Sequence, residues 1–472
     1  MADRVSSLFE KIWNSHVVAE LGDGVVLIAI DRMMLHERTG GVALKAVAQA
    51  GRKVAYPRQI FAVMDHIVDT FPGRGDDTLM PTGRAFITEM REAAGAAGIT
   101  LFDLGDPRQG ICHVVSPEQG IVLPGATLVC PDSHTGTQGA FGALAWGIGS
   151  SEAEHALVTG TLRVRRPRTM RIIVENRLAP GVSAKDLALH IIARIGSDGA
   201  QGFATEFAGE GISALDIEQR QTLCNMATEM SAFGALIAPD AVTFAALRGR
   251  PFAPAGAAWD SAVEAWSALA SDPGACFDRE VTVDAAEVEP MISWGTSPQQ
   301  VVPVTASVPF FAGAQVRGTQ ANHARSLSYM GLSEGMPLAG LPIDAAFIGS
   351  CTNSRLSDLR SAARIVRGRK VAPGVRAICV PGSGLIKRAA EEEGIAATLI
   401  EAGFEWREPG CSLCFFAGGE SFGLRERVVS TTNRNFESRQ GPETRTHIAS
   451  PELVAMSAIA GCITDPREGA KP

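Results

Sequence analysis

The sequence predicts an α/β protein in which parallel sheets are covered by helices. In the last third, short apolar runs alternate with stretches of helical periodicity: strands over 345–348, 377–380 and 398–401, helices over 356–366 and 385–393. Such alternation builds parallel sheets whose ligand-binding loops follow the strand C-termini. Earlier in the chain, turn-rich polar loops follow directly on apolar runs. Asp65-His66 does so after 54–64, and Pro131-Asp132-Ser133-His134-Thr135 after 123–130. Fifty glycines and 26 prolines against 6% aromatics fit the tight turns and close backbone approaches that such a fold needs.

In chain order, residues 25–30 form a buried strand feeding a loop at Asp31, and 42–51 a short helix closed by glycine. Residues 84–98 have helical periodicity. Residues 170–175 read as a strand, and Ser183 opens a helix reaching about Ile195, with Asp186 in its first turn. Residues 212–232 read as one long helix or two shorter ones, and another helix lies near 259–269. The character of the chain changes near Arg165 and again near 284–294, which divides it into 1–165, 166–283 and 284–472.

Composition narrows the function. Of 472 residues, 46% are hydrophobic and 20% charged, enough for several domains with proper cores. The net charge of −8 and the lack of a long basic tract argue against nucleic acid as the principal partner. No apolar run reaches membrane-spanning length, and the first residues lack the pattern of a secretory leader. Nine scattered cysteines do not form a disulfide framework, so a cytoplasmic setting is expected.

Three of those cysteines stand out. Cys351 sits in Phe347-Ile348-Gly349-Ser350-Cys351-Thr352-Asn353-Ser354, between a strand and a helix, and Cys411 and Cys414 form Cys-x-x-Cys behind Pro409-Gly410. Three thiolates suit an iron–sulfur cluster with one iron left open to substrate. Cys-x-x-Cys alone also suits a redox pair or part of a zinc site. Cys112, Cys130, Cys224, Cys276, Cys379 and Cys462 have apolar or helical neighbours and read as small buried hydrophobes. His66, His113 and His134 fall in loops beside carboxylates or other histidine loops, the setting of a general acid. Asn433-Arg434-Asn435-Phe436 and Arg439 form a polar cluster suited to carboxylate recognition.

The segments 347–355, 409–414, 131–135 and 433–436, taken together, resemble the aconitase superfamily, and within it the large-subunit family of isopropylmalate dehydratases. The likeness runs from Leu8 to about Ile463, through segments such as 110–124, 139–152, 223–230 and 401–407. It implies a three-domain aconitase-like fold over the three stretches above, without the swivelling fourth domain. It also implies a [4Fe–4S] cluster held by Cys351, Cys411 and Cys414, whose open iron acts as Lewis acid on the substrate. Three His–carboxylate pairs are implied: His66 with Asp65, His113 with Asp132, and His134 with Glu206. His66 is then expected to protonate the departing hydroxyl, Arg434 and Arg439 to bind substrate carboxylates, and Asn433 to bond near the cluster.

Because the chain stops at Pro472, the resemblance places the serine base on a separate small subunit. The implied reaction isomerises 2- and 3-isopropylmalate by dehydration and rehydration in leucine biosynthesis. Departures from the family pattern at Ile67, over 415–419 and at Ser438 leave a second expectation, a paralogue acting on another 2-alkylmalate such as citramalate or dimethylmalate. A third comes from the resemblance itself, since some relatives of aconitase bind RNA when they lose their cluster: an RNA-binding regulator, against which the acidic charge and the lack of basic patches weigh.

Overall fold

The computed structural model describes residues 5–311, 318–416 and 419–470. Ala417 and Gly418, part of the departure noted over 415–419, lie outside them. Contacts group the chain into two compact units, one of residues 1–65, 84–177 and 200–284, the other of 66–83, 178–199 and 285–472. Each is a mixed α/β unit with a parallel sheet, as the alternating pattern predicts.

In the first unit a five-stranded parallel sheet runs in the spatial order Thr100–Phe102, Ile60–Val63, Arg32–His36, Thr127–Cys130, Leu144–Gly147. Arg32–His36 is a strand where the sequence suggested a loop after Asp31. Four of its five residues are buried, so no polar alternation marks it. A second parallel sheet orders Gly234–Ile237, Phe203–Ala208, Arg168–Glu175 and Arg279–Asp284. An antiparallel sheet joins Val17–Gly22, Val25–Ala29 and Thr161–Arg165.

The stretch 212–232 breaks into the helices Glu210–Ser213 and Ile217–Met226 and the 3-10 turn Ala227–Met230. The break falls at Asp216, whose side chain accepts from Gln219 N while the Gln219 side chain accepts from Asp216 N.

The second unit carries its own five-stranded parallel sheet, ordered Phe404–Trp406, Arg376–Cys379, Ala345–Ile348, Arg427–Ser430, Arg445–Ile448. Its core joins Ala345, Phe347, Ile378, Val380, Phe422 and Val428 with Leu413 of the Cys-x-x-Cys turn. One sequence expectation is corrected here: 398–401 is not a strand but part of the helix Ile395–Ala402. Ile395, Ala396, Leu399 and Ala402 bury one face at helical spacing, and left-handed glycines at 394 and 403 bracket them. The strand follows, at Phe404–Trp406.

Both five-stranded sheets share one topology. The chain lays down a central strand, builds outward on one side, then returns to build on the other. The reversal beside the central strand opens a crevice at the strand C-termini, where ligands of open α/β sheets bind. No helix among the described residues is long and apolar enough to cross a membrane.

Candidate active site

In the first unit the reversal lies between Arg32–His36 and Thr127–Cys130, and histidines and carboxylates gather in the loops that follow these strands. Asp132 caps the 3-10 segment Ser133–Phe141, its Oδ1 accepting from His134 N at 2.7 Å. The same oxygen lies 2.8 Å from Nε2 of His113. His113 is the second residue of the helix Cys112–Gln119, whose first N–H, on Cys112, donates to Asp65 Oδ2 at 2.9 Å. Asp65 N in turn donates to Glu37 Oε2 at 3.0 Å. Asp65, singled out as the partner of His66, thus also anchors the helix that carries His113.

The expected pairing of His134 with Glu206 is corrected. Nε2 of His134 lies 2.8 Å from Oε1 of Glu229, with both side chains 6% exposed. Glu206 accepts instead from Ser271 Oγ, at 2.9 and 2.7 Å to its two oxygens, and burial raises its pKa. The reason is positional: Glu206 lies within the strand Phe203–Ala208, whereas Glu229 sits on the Ala227–Met230 turn, where Thr228 Oγ1 donates to Ser133 O at 3.2 Å. The sequence did carry a signal for Glu229, the one ionisable carboxylate in the otherwise apolar or polar-uncharged run 223–230.

Two glycines shape this loop. A Cβ on Gly139 would meet the Ala235 carbonyl oxygen at 1.7 Å, and one on Gly147 the Asp132 oxygen at 2.5 Å. Only glycine lets the backbones approach so closely.

In the second unit the reversal lies between Ala345–Ile348 and Arg427–Ser430, and Cys351 and Asn433 follow these two strands. Asn433 Nδ2 lies 3.4 Å from Cys351 Sγ. The fully buried Lys185, on the helix Ala184–Ile195, donates from Nζ to Thr431 O at 2.8 Å and Thr432 O at 2.9 Å. Sequence reasoning passed over this lysine; a cation in the first turn of an amphipathic helix reads as solvated until its neighbours are known. Arg355, also buried, donates to the carbonyls of Thr352 at 2.6 Å and Cys351 at 2.9 Å.

Cys411 and Cys414 are buried and paired as a disulfide, their Cα atoms 5.6 Å apart, while Cys351 is a buried free thiol. The residues just before Cys351 and just after Cys411, Ser350 and Ser412, have φ of 70° and 48°. Left-handed non-glycine residues are costly, and functional sites are where they collect.

Segment 66–83 docks on this turn. Thr70 Oγ1 donates towards Ser412 Oγ at 3.1 Å and Glu420 Oε1 at 2.8 Å, and Arg74 donates to Pro409 O at 2.5 Å. It brings the His66 ring to 6.0 Å from that of Phe415. Arg439 lies over two aromatic rings, its guanidinium carbon 5.5 Å from the centroid of Phe415 and 4.9 Å from that of Phe436. Arg434 is half-buried on the same loop, its carbonyl accepting from Thr432 Oγ1 at 3.3 Å. Among the departures, Ile67 is buried, and Ser438 holds φ 61°, a conformation that glycine adopts without strain.

The donor set fits an iron–sulfur group once the disulfide is reduced: the buried sulfurs of Cys351, Cys411 and Cys414 follow strands of one sheet, and that of Cys351 has an amide N–H on it. Burial pushes the thiols of Cys112 and Cys379 far up, which keeps them protonated core residues. Cys276 is exposed and Cys462 half-buried, against the expectation of buried hydrophobes; neither lies in an apolar strand.

Residues 10–461 match the Aconitase family (aconitate hydratase). Over 464 residues, 98% of the chain and 97% of the relative, the sequence is 49% identical to the 3-isopropylmalate dehydratase large subunit 1 of Bradyrhizobium diazoefficiens. The crystal structure of Thermococcus kodakaraensis aconitase X (holo-form) covers 92% of the chain, and 90% of its own, at 13% identity and a TM-score of 0.49.

Proposed function

The chain belongs to the aconitase family, and from that premise we propose that it is the large subunit of a hydro-lyase interconverting 2- and 3-isopropylmalate in leucine biosynthesis. The near full-length identity to a protein of that name supports the substrate. Aconitase-family dehydratases generally use an iron–sulfur cluster; the type proposed here is [4Fe–4S], held by Cys351, Cys411 and Cys414. The observation that carries the reading is the thiol of Cys351 under the Asn433 amide, on loops flanking the sheet reversal. When bound, the cluster supplies an open iron that acts as Lewis acid on the substrate hydroxyl and carboxylate.

The chain's own residues take the remaining roles. His66 donates the proton that leaves with the hydroxyl. Asp132 fixes the tautomer of His113, and Glu229 rather than Glu206 that of His134, so that both rings hold water and substrate in place. Arg434 and Arg439 bind carboxylates, a role that the planar guanidinium suits, and Arg439 is held within cation–π range of Phe415 and Phe436. A separate small subunit supplies the base, and the complex works in the cytoplasm. The three stretches 1–165, 166–283 and 284–472 are proposed as its domains, each contributing one all-parallel sheet.

The test is reconstitution. Cys411 and Cys414 ligate iron only as reduced thiolates, so the chain is first reduced, then loaded with iron and sulfide and mixed with its small subunit. Alkene formation from isopropylmalate, followed by absorbance, is the expected result. A complex holding stoichiometric iron and sulfide that forms no alkene would sink the reading.

A further inference from the structure

We infer that Glu420 is a positioning residue for the reaction: its carboxylate clamps the segment that carries His66 onto the turn that carries Cys411 and Cys414. The inference rests on the dehydratase reading above, in which His66 is the proton donor, and adds what holds that donor to the cysteine-bearing turn.

His66 opens an irregular run of bends and turns that reaches the helix Gly83–Ala97. Such a run has no ladder of its own to fix a side chain, so tertiary bonds set its place. Glu420, 350 residues away from Thr70, supplies them. Its Oε1 accepts from both donors of the fully buried Thr70, the main-chain N at 2.9 Å and Oγ1 at 2.8 Å. Its Oε2 accepts from Ser412 Oγ at 2.5 Å, and Ser412 stands between the two cysteines with φ of 48°. One buried carboxylate thus joins the two segments, one oxygen to each. Backbone packing points the same way. Gly419 has φ of 94°, and a Cβ on it would meet the Leu79 carbonyl carbon and Met80 N at 2.8 Å. Glycine there lets the chain lie against the His66 segment and deliver the next residue, Glu420, to Thr70. Glu408 N also donates to Thr70 O at 2.7 Å, and Arg74 Nη1 to Pro409 O at 2.5 Å. Those bonds reach the main chain ahead of Cys411, whereas Glu420 reaches inside the Cys-x-x-Cys itself. Without its carboxylate the two buried donors of Thr70 lose this acceptor, a cost large enough to displace a loop.

The experiment measures amide hydrogen exchange on the full chain and kinetics on the reconstituted complex. Glu420→Ala is expected to speed exchange at Thr70 and its neighbours in 66–82 by about tenfold or more, with the strands Ala345–Ile348 and Arg427–Ser430 unchanged. In the loaded complex, kcat per cluster on isopropylmalate should fall by about tenfold or more at a nearly constant KM, since a displaced proton donor slows chemistry rather than binding. Glu420→Gln keeps an acceptor for Thr70 and can donate to Ser412 Oγ, so both readouts should return to within about threefold of wild type. If alanine does not fold or does not load, Thr70→Val decides. It removes one donor from the other end of the same contact and should speed local exchange and lower kcat per cluster by about threefold or more. Unchanged local exchange or unchanged kcat per cluster in these variants overturns the assignment, and so does a glutamine variant as slow as alanine; each leaves the dehydratase reading intact. A cluster-loaded wild-type complex that forms no alkene sinks the parent reading, and this one with it.

Discussion

The two five-stranded sheets share one strand order and one reversal, yet they are furnished with opposite chemistry. At the first, His113, Asp132, His134 and Glu229 make short imidazole–carboxylate contacts of 2.8 Å, and the glycines at 139 and 147 let the backbone close on them. At the second, a thiol, a disulfide, an amide and guanidinium groups take those places. The loops there are held by buried cations donating to main-chain carbonyls, Lys185 to Thr431 and Thr432, Arg355 to Cys351 and Thr352. The lesson is that the topology sets only where a site forms. The first site positions titratable side chains against one another, whereas the second ties up main-chain carbonyls around its sulfurs with buried cations.

The sharpest way to break this contrast is Cys351→Ser. Replacing a soft ligand by a hydroxyl removes the cluster, so iron, sulfide and activity all fall to background while the histidine contacts of the first unit persist. Full iron content in the variant would show that the thiol is not a ligand. Next in size is the comparison of Glu229→Gln with Glu206→Gln. The first should lower kcat by about 10²-fold or more, because His134 loses the carboxylate that orients it; the second should cost far less, with cluster content unchanged in both. Equal losses would erase the distinction between the two glutamates.

A smaller effect, on stability, comes from Lys185→Met. It leaves two buried carbonyls without their ammonium donor and should cost about 2–3 kcal/mol, read as a lower melting temperature and faster release of iron. A variant as stable as wild type would mean that these carbonyls find other donors.

The smallest concerns Asp186, beside it. Its carboxylate accepts from Met291 N at 2.8 Å, and burial raises its pKa from 3.8 to about 7. A folded-state value above the unfolded one favours the protonated fold, so the stability this group contributes is complete below about pH 4 and lost as pH rises through about 7. Asp186→Asn keeps an acceptor for Met291 and should flatten that part of the melting temperature–pH profile. An unaltered slope would assign the dependence elsewhere.

Much of this was legible from residues alone, because strand–loop–helix segments are encoded locally. The strand over 345–348, the Cys351 loop and the helix over 356–366 fall where their pattern predicts. His113 and Asp132, 19 residues apart, meet as the resemblance implies. The misassignment over 398–401 arose where a short apolar run fits strand or helix equally, and the flanking left-handed glycines decided it. What the sequence determined by itself was the α/β class and the family likeness. What only the tertiary structure decided was which distant groups meet. Glu229 reaches His134 across 95 residues and Lys185 reaches Thr431 across 246, while the ring of Phe415 comes within 6.0 Å of that of His66. No local propensity specifies such pairs, since each forms only once packed sheets bring two loops to the same end.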